Sequence, residues 1–241
     1  MAIYKSPGIV IKSIKFRETS LIVDIYTREK GLRSFIVNGV RKAKSRISPS
    51  LFQHGTMVNL IAYEGNPGRL SRLKEISLDH HYQHLPFEIG KSSIALFLLE
   101  LIQSTIKESE QNMPLFDFLA GWLQFIDQYE GNLSLPHIKF MTEYPGYLGF
   151  ELMDNRSQDK PYFHLEYGHY VNDYERIDYA MSRDCSQALH TLINTPKEEL
   201  QTLSIPRQLR EELINGMISF YRLHINDFQE LKSYEILKQL F

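Results

Sequence analysis

The chain has 241 residues, of which 43% are hydrophobic and 23% are charged, as is typical of one large globular domain or two small ones. Its single cysteine, Cys185, excludes an intrachain disulfide and a cysteine-based zinc site, and no run of about 18 apolar residues predicts a transmembrane helix. Residues 1–80 hold 14 Lys+Arg and 6 Asp+Glu, whereas the remainder holds 13 and 23. This asymmetry predicts two domains with different partners, over residues 1–80 and residues 81–241.

The first 80 residues alternate apolar and polar side chains at a period of two, which predicts β-strands. Five strands are expected, at residues 6–16, 20–27, 32–37, 57–63 and 70–78. Ser48-Pro49 predicts a short helix between the third and fourth strands, because serine caps helices and proline suits their first turn. Five short strands with one longer connection fit a small closed barrel of the OB-fold type, and an SH3-like barrel is the alternative.

The longer connection begins with a basic, glycine-containing segment, residues 38–46, in which four of nine residues are cationic and none is acidic. Crowded cations repel each other unless an anion is near, and a nucleic-acid backbone is the commonest such anion. We therefore predict a nucleic-acid-binding surface formed by nine cations of the barrel: Arg28, Lys30, Arg33, Arg41, Lys42, Lys44, Arg46, Arg69 and Arg72. Since phosphate contacts do not read bases, little sequence preference is expected.

Aromatic side chains of the same region are candidates to stack on bases, and they are Phe16, Tyr26, Phe35, Phe52 and Tyr63. A place in the core of the small barrel is the favoured interpretation for each of the five, and Tyr26 and Phe35 are the two named as candidates for stacking.

Beyond Pro86 the apolar spacing changes to that of helices. Helices are predicted at residues 87–107, 113–129, 135–144, 184–193, 206–225 and 233–240. Pro145-Gly146 is expected to stop the third helix, because proline has no N–H to donate. Residues 147–180 are irregular, with short strands expected around Phe163 and Tyr170. The predicted fold is therefore α+β, a five-stranded barrel followed by a mostly α-helical domain that carries a small insert.

No motif predicts catalysis, since the chain lacks Gly-x-Ser-x-Gly, the phosphate-binding Gly-x-x-x-x-Gly-Lys and His-Glu-x-x-His. Three histidines at positions 80, 81 and 84 offer nitrogen ligands, but a polar linker is the plainer interpretation. We expect no enzymatic activity, no cofactor and no bound metal.

Three segments, at residues 17–23, 26–31 and 39–46, together resemble the bacterial recombination mediator RecO family, and residues 224–240 resemble its C-terminal end. The resemblance implies an N-terminal OB-fold, a helical C-terminal domain and a role in recombinational DNA repair. It implies binding to single- and double-stranded DNA, annealing of complementary strands, and help in loading RecA. The implied partners are RecR and the acidic C-terminal tail of single-stranded DNA-binding protein. A cytoplasmic, nucleoid-associated protein without membrane attachment is expected.

Many members of that family carry a four-cysteine zinc module in the segment that corresponds to residues 149–183. Because Cys185 is the only cysteine here, we expect a degenerate zinc-ribbon-like insert without metal. Family analogy alone suggests a groove for the acidic tail in the helical domain, with Arg207, Arg210 and Arg222 as candidate cations.

The residues leave two other functions open. An RNA-binding OB-fold protein of translation or RNA metabolism would present a similar basic barrel. A pure adaptor would use the basic surface to bind an acidic protein instead.

Overall fold

The computed structural model describes residues 3–42, 47–65, 69–106, 110–172 and 178–241. The chain divides into two compact units, residues 1–128 and residues 129–241, and each is described by itself. Among the described residues, no helix is long and apolar enough to span a bilayer.

The first unit opens with a closed barrel of five strands. They are β1 (Ile3–Phe16), β2 (Ser20–Thr27), β3 (Gly31–Val37), β4 (Met57–Tyr63) and β5 (Ser71–Leu78). Around the barrel they follow the order β1-β2-β3-β5-β4, and every neighbouring pair is antiparallel except β3 and β5. The predicted five-stranded barrel of the OB-fold type is therefore confirmed.

Alternating side chains fill the interior of this barrel. Val23 and Ile25 of β2, Phe35 of β3 and Val58 of β4 are completely buried in one apolar cluster. Since a shift of one residue would turn each strand's apolar set outward, the same alternation fixes the strand register. Phe52 joins the cluster from a short 3-10 helix in the connection before β4, which confirms the predicted short helix.

Two helices complete the first unit, α1 (Ile89–Thr105) and α2 (Met113–Gln128). Tyr26 points out of the barrel from β2, but it is only 2% exposed because its ring stacks on Phe116 of α2, with ring centroids 6.4 Å apart. Helix α2 therefore covers one end of the outer surface of β2.

A buried carboxylate fixes the segment between the barrel and α1. Asp127, at the end of α2, is fully buried and accepts hydrogen bonds from the backbone N–H groups of Gln83 (3.0 Å), His84 (2.8 Å) and Leu85 (2.7 Å). The buried Lys91 ammonium donates to the carbonyl of the same residue at 2.9 Å. Burial raises the pKa of the Asp127 carboxyl, but the hydrogen bonds outweigh it and hold that pKa below its ordinary value.

The second unit is mostly helical and has one two-stranded sheet. Its elements are α3 (Pro136–Leu148), β6 (Tyr162–His164), β7 (His169–Val171), α4 (Arg183–Asn194), α5 (Arg207–His224) and α6 (Tyr234–Leu240). The antiparallel pair β6–β7 lies in the segment that the sequence predicts as an irregular insert. The α+β architecture, a barrel followed by a helical region, is confirmed.

The predicted end of α3 at Pro145 is wrong, because the helix continues to Leu148 and ends at Gly149, which has a φ of 88°. Proline cannot donate to the carbonyl of Met141, one turn earlier in the helix. The hydroxyl of Tyr221 donates to that carbonyl instead, at 3.0 Å, and both side chains are buried. A contact 80 positions away in the chain thus satisfies the group that proline leaves without a donor.

Lys139 of α3 is buried, and its ammonium donates to the last carbonyls of α4, those of Leu192 (3.0 Å) and Ile193 (2.9 Å). We expect Lys139→Met to lower the free energy of unfolding by about 2–3 kcal/mol, because one buried and one partly buried carbonyl lose a charged donor at a helix C-terminus. Urea denaturation followed by circular dichroism measures this difference.

Lys238→Met is the matched control, since this helical lysine is half-exposed and its ammonium forms an ion pair with Glu235 on the same helix. Its replacement should change the unfolding free energy by less than about 1 kcal/mol. Equal effects of the two substitutions would show that the buried contacts of Lys139 contribute nothing specific.

Candidate nucleic-acid interface

Part of the outer barrel surface, on β1, β2, β3 and the start of β5, is organised in cross-strand rows. Paired residues of neighbouring strands point to the same side of a sheet. The register therefore aligns Ile14, Ile22, Ile36 and Arg72 in one row across four strands. We call this surface, with the rows on either side, the open face: Lys12, Ile14, Phe16, Ser20, Ile22, Asp24, Ser34, Ile36, Asn38 and Arg72.

The open face is apolar at its centre and polar on both sides. Ile14 is 46% exposed, and Ile22 and Ile36 beside it are partly exposed. Towards the end of β1, the hydroxyl of Ser20 donates to Asn38 at 3.0 Å. Beyond the row of Asp24, the face ends where α2 covers Tyr26.

Cations surround the end of the open face where β1 turns into β2. The guanidinium of Arg17 lies 5.2 Å from the ring centroid of Phe16. Arg41, after β3, is tied to the same turn, since its backbone N–H donates to Thr19 O at 3.2 Å and its guanidinium donates to Glu18 O at 3.1 Å. The fold thus brings two separate basic segments to one end of the barrel.

We name four cations around the open face the basic rim, and they are Arg17, Arg41, Lys42 and Arg72. All four side chains are exposed. Within the described ranges, none of them has an acidic side chain within ion-pair distance. Their positive charge therefore remains available to an anion from solvent.

Arg28 and Lys30 lie at the opposite end of β2 and are held by acids. Arg28 forms two hydrogen bonds with the carboxylate of Asp117, at 2.8 and 2.9 Å, and this contact raises the pKa of the guanidinium. The ammonium of Lys30 lies 3.0 Å from Glu64. The structure therefore does not group these two predicted site residues with the basic rim.

The turn that carries Arg28 and Lys30 is also closed in by the chain segment before α2. Gly31, with a φ of 64°, leaves no room for a side chain, because an added Cβ would collide with the carbonyl of Glu110. We expect Gly31→Ala to lower the unfolding free energy by about 2–4 kcal/mol, through backbone strain and this clash together. Thermal unfolding measures the effect.

Gly149→Ala is its control, since Gly149 has a φ of 88° but nothing within 4 Å of an added Cβ. Strain alone should cost about 1 kcal/mol there. A cost at Gly31 no larger than at Gly149 would mean that the Glu110 segment does not press on the turn.

The other predicted cations are placed as follows. Arg33 is half-buried and donates to Leu32 O at 2.9 Å, and Arg69 is exposed just before β5. Lys44 and Arg46 lie outside the described residues, so their part in the interface stays a prediction.

Base stacking by Tyr26 and Phe35 is wrong. Phe35 is fully buried in the barrel, and Tyr26 is covered by α2. Phe52 is also in the core, whereas Phe16 is partly exposed on the open face. Arg17 was not among the predicted site residues, although the outward positions of β1 and the turn that follows could have indicated it.

A small pocket in the second unit meets the description of a groove with an apolar wall and a cationic edge. It is lined by Ser134, His137, Arg207, Arg210, Glu211, Ile214, Tyr234, Leu237, Lys238 and Phe241. Burial and the charge of Arg210 lower the pKa of His137 to about 3, so this imidazole in the pocket lining is uncharged at neutral pH. Arg210 is held in place by the carbonyls of Ile205 and Phe241, both at 2.8 Å.

The chain does not fit a four-cysteine zinc module. Cys185, its one cysteine, is buried, and its sulfur lies 3.8 Å from that of Met181. Burial raises the pKa of this thiol, which disfavours the thiolate that a metal would require. Among the described residues, no three His, Cys, Asp or Glu side chains are grouped as metal ligands would be.

Comparison with known proteins agrees with this architecture. Residues 1–82 match the family model "Recombination protein O N terminal", and residues 86–235 match "Recombination protein O C terminal". The chain is 30% identical over 237 residues to a protein of Phocaeicola vulgatus named DNA repair protein RecO, covering 98% of both chains. It is 34% identical over 242 residues to the protein of that name from Flavobacterium johnsoniae, again over 98% of both. The chain therefore belongs to the RecO family of DNA repair proteins.

Proposed function

We propose that the protein binds DNA and anneals complementary strands as a mediator of recombinational repair. The observation that carries this proposal is the basic rim, four exposed cations that have no acidic partner among the described residues, around an open face with an apolar centre. Contacts between cations and phosphates supply most of the affinity of such proteins. The exposed isoleucine row offers a surface that unstacked bases of a single strand can cover.

Annealing on this surface needs no bond chemistry. Bound cations lower the repulsion between the phosphates of two strands, so that a second strand can approach the first. Base pairing then supplies the driving force, and neither a cofactor nor a catalytic residue takes part.

We extend the proposal to protein partners. The pocket beside Arg210 suits the acidic, partly apolar tail of single-stranded DNA-binding protein, because apolar walls lie next to this cation there. Arg207 and Lys238 at its edge are paired with Glu211 and Glu235, so Arg210 is the cation that we propose contacts the tail. Cooperation with RecR and help in loading RecA rest on family membership. We also propose that residues 1–80 form the DNA-binding domain and that the protein is cytoplasmic and nucleoid-associated.

Salt-titrated binding to a single-stranded DNA oligomer tests this function. If the four cations of the basic rim contact phosphates, log affinity should fall against log salt with a slope of about −2.8. A slope near zero, or no binding at low salt, would contradict the proposal.

Competition between DNA and RNA oligomers of the same sequence distinguishes the proposed DNA binding from RNA binding, the main alternative. An RNA-binding protein should prefer RNA through its 2′-hydroxyl groups, whereas we expect DNA to compete at least equally. Absence of binding to either, together with tight binding to an acidic protein, would identify an adaptor.

A further inference from the structure

One acidic side chain lies within the open face. Asp24 of β2 occupies the third cross-strand row, between Lys12 of β1 and Ser34 of β3. Two residues along a strand span about 7 Å, so its row lies about that distance from the isoleucine row. A negative charge at this place repels phosphates and weakens DNA binding, unless it meets a hydrogen-bond donor of the nucleic acid.

The carboxylate of Asp24 is oriented by a hydroxyl group on the neighbouring strand. The hydroxyl of Ser34 donates to its Oδ1 at 2.5 Å, which fixes the plane of the carboxylate. In the part of the chain that the structure describes, no cation pairs with it and no donor is bonded to its Oδ2. The open face therefore carries one partly exposed carboxylate, held by Ser34, whose second oxygen has no hydrogen-bond donor among the described residues.

The bases differ in what they offer such an oxygen. Guanine presents an N–H and an exocyclic amino group side by side on its Watson–Crick edge, and cytosine and adenine each present one amino group. Thymine has no amino group, and its single N–H lies between two carbonyl oxygens that repel a carboxylate. Carboxylate side chains are accordingly used by proteins to accept hydrogen bonds from base amino groups.

We infer that Asp24 makes the open face selective for bases with an exocyclic amino group, guanine above all, over thymine. This inference rests on the proposed DNA binding and adds base discrimination to it. Phosphates then lie along the basic rim, while bases turn inward over the isoleucine row towards Asp24, and a base gives up this contact when a complementary strand pairs with it. It replaces the expectation of little sequence preference, which considered phosphate contacts alone.

The test compares two single-stranded oligomers of about 12 nucleotides, oligo(dT) and the same oligomer with every third dT replaced by dG. We expect the wild-type protein to bind the dG-containing oligomer about fivefold more tightly, the lower end of what one base contact supplies. Fluorescence anisotropy at fixed salt gives both dissociation constants.

Asp24→Asn should reduce this preference to less than about twofold, because the amide also offers a donor, which suits the carbonyl oxygens of thymine. Glu75→Gln is the matched control, since it removes one exposed carboxylate from another part of the barrel, in the row of Lys5 and Ile61. It should keep the preference. Replacing dG by deoxyinosine removes only the exocyclic amino group and should abolish most of the preference of the wild-type protein.

Guanine also stacks better than thymine, and the variants separate the two causes. A preference that survives in Asp24→Asn comes from stacking and overturns the inference. Equal wild-type affinity for the two oligomers overturns it as well, while salt-dependent binding to both leaves the proposed function intact. Binding to neither oligomer overturns the proposed function together with the inference.

Discussion

Replacement of Arg17, Arg41, Lys42 and Arg72 together by alanine should weaken binding to single-stranded DNA by about a hundredfold at about 0.1 M salt. Each phosphate contact on a single strand contributes about 0.7 to the slope of log affinity against log salt, so the slope should become less steep by about 2.8. The cations are exposed and form no ion pairs within the described residues, so the fold should remain intact. Anisotropy titrations over a range of salt concentrations measure both quantities.

Arg28→Ala combined with Lys30→Ala is the control for this variant. It also removes cations from the barrel, but these two are already paired with Asp117 and Glu64 at the other end of β2. We expect the affinity to change by less than about threefold and the salt slope to stay as in the wild type. A larger loss of affinity in this control than in the rim variant would show that DNA binds at the β2–β3 turn and not at the basic rim.

Replacement of Asp127 by alanine should lower the free energy of unfolding by about 3–5 kcal/mol, the largest stability effect that we expect in the chain. The substitution leaves three backbone N–H groups, those of Gln83, His84 and Leu85, without their charged acceptor. Asp127→Asn should cost about 2 kcal/mol, because its amide retains one acceptor oxygen but places a donor against these donors. Urea denaturation measures both variants.

The contribution of Asp127 should depend on pH in a defined direction. Its pKa is lower in the folded protein than in the unfolded chain, because the hydrogen bonds stabilise the carboxylate. The stabilisation is therefore fully present above the ordinary aspartate pKa of about 3.9 and is lost as the pH falls through the lower, folded value. The difference between the wild type and Asp127→Asn should narrow below about pH 4.

Asp117→Asn is the control on the same helix, since this exposed carboxylate is paired with Arg28 at the surface. We expect it to change the unfolding free energy by less than about 1 kcal/mol. If the two aspartates have equal effects, the three backbone contacts of Asp127 do not determine its contribution.

The sequence was sufficient for the elements of both units because their local patterns are strong. Alternation placed β2 at residues 20–27, as the structure has it, and helical spacing placed α5 to within one residue at each end. It failed at Pro145, where local chemistry predicts a stop. The hydroxyl of Tyr221 donates a hydrogen bond to the carbonyl of Met141, and no residue close to the proline in the chain indicates that contact.

The aromatic candidates show the same limit. Period-two spacing places Phe35 on the inner side of the barrel sheet and Tyr26 on its outer side. Both side chains are nevertheless buried, Phe35 in the barrel interior and Tyr26 under Phe116 of α2. Whether an outward side chain is exposed depends on which other element packs over it. The spacing of residues along one strand carries no information about that packing.

The amino-acid sequence alone determined the barrel, the helical region and the concentration of cations in the first 80 residues, because these follow from short-range periodicity and composition. Only the tertiary structure decided which cations remain available. Asp117 and Glu64 neutralise Arg28 and Lys30 from positions 89 and 34 residues away. Arg41, in contrast, is brought to the turn that carries Arg17, and within the described residues neither cation has an acidic side chain at ion-pair distance. Ion pairs form between groups that are close in space, and proximity between distant segments is a property of the folded chain.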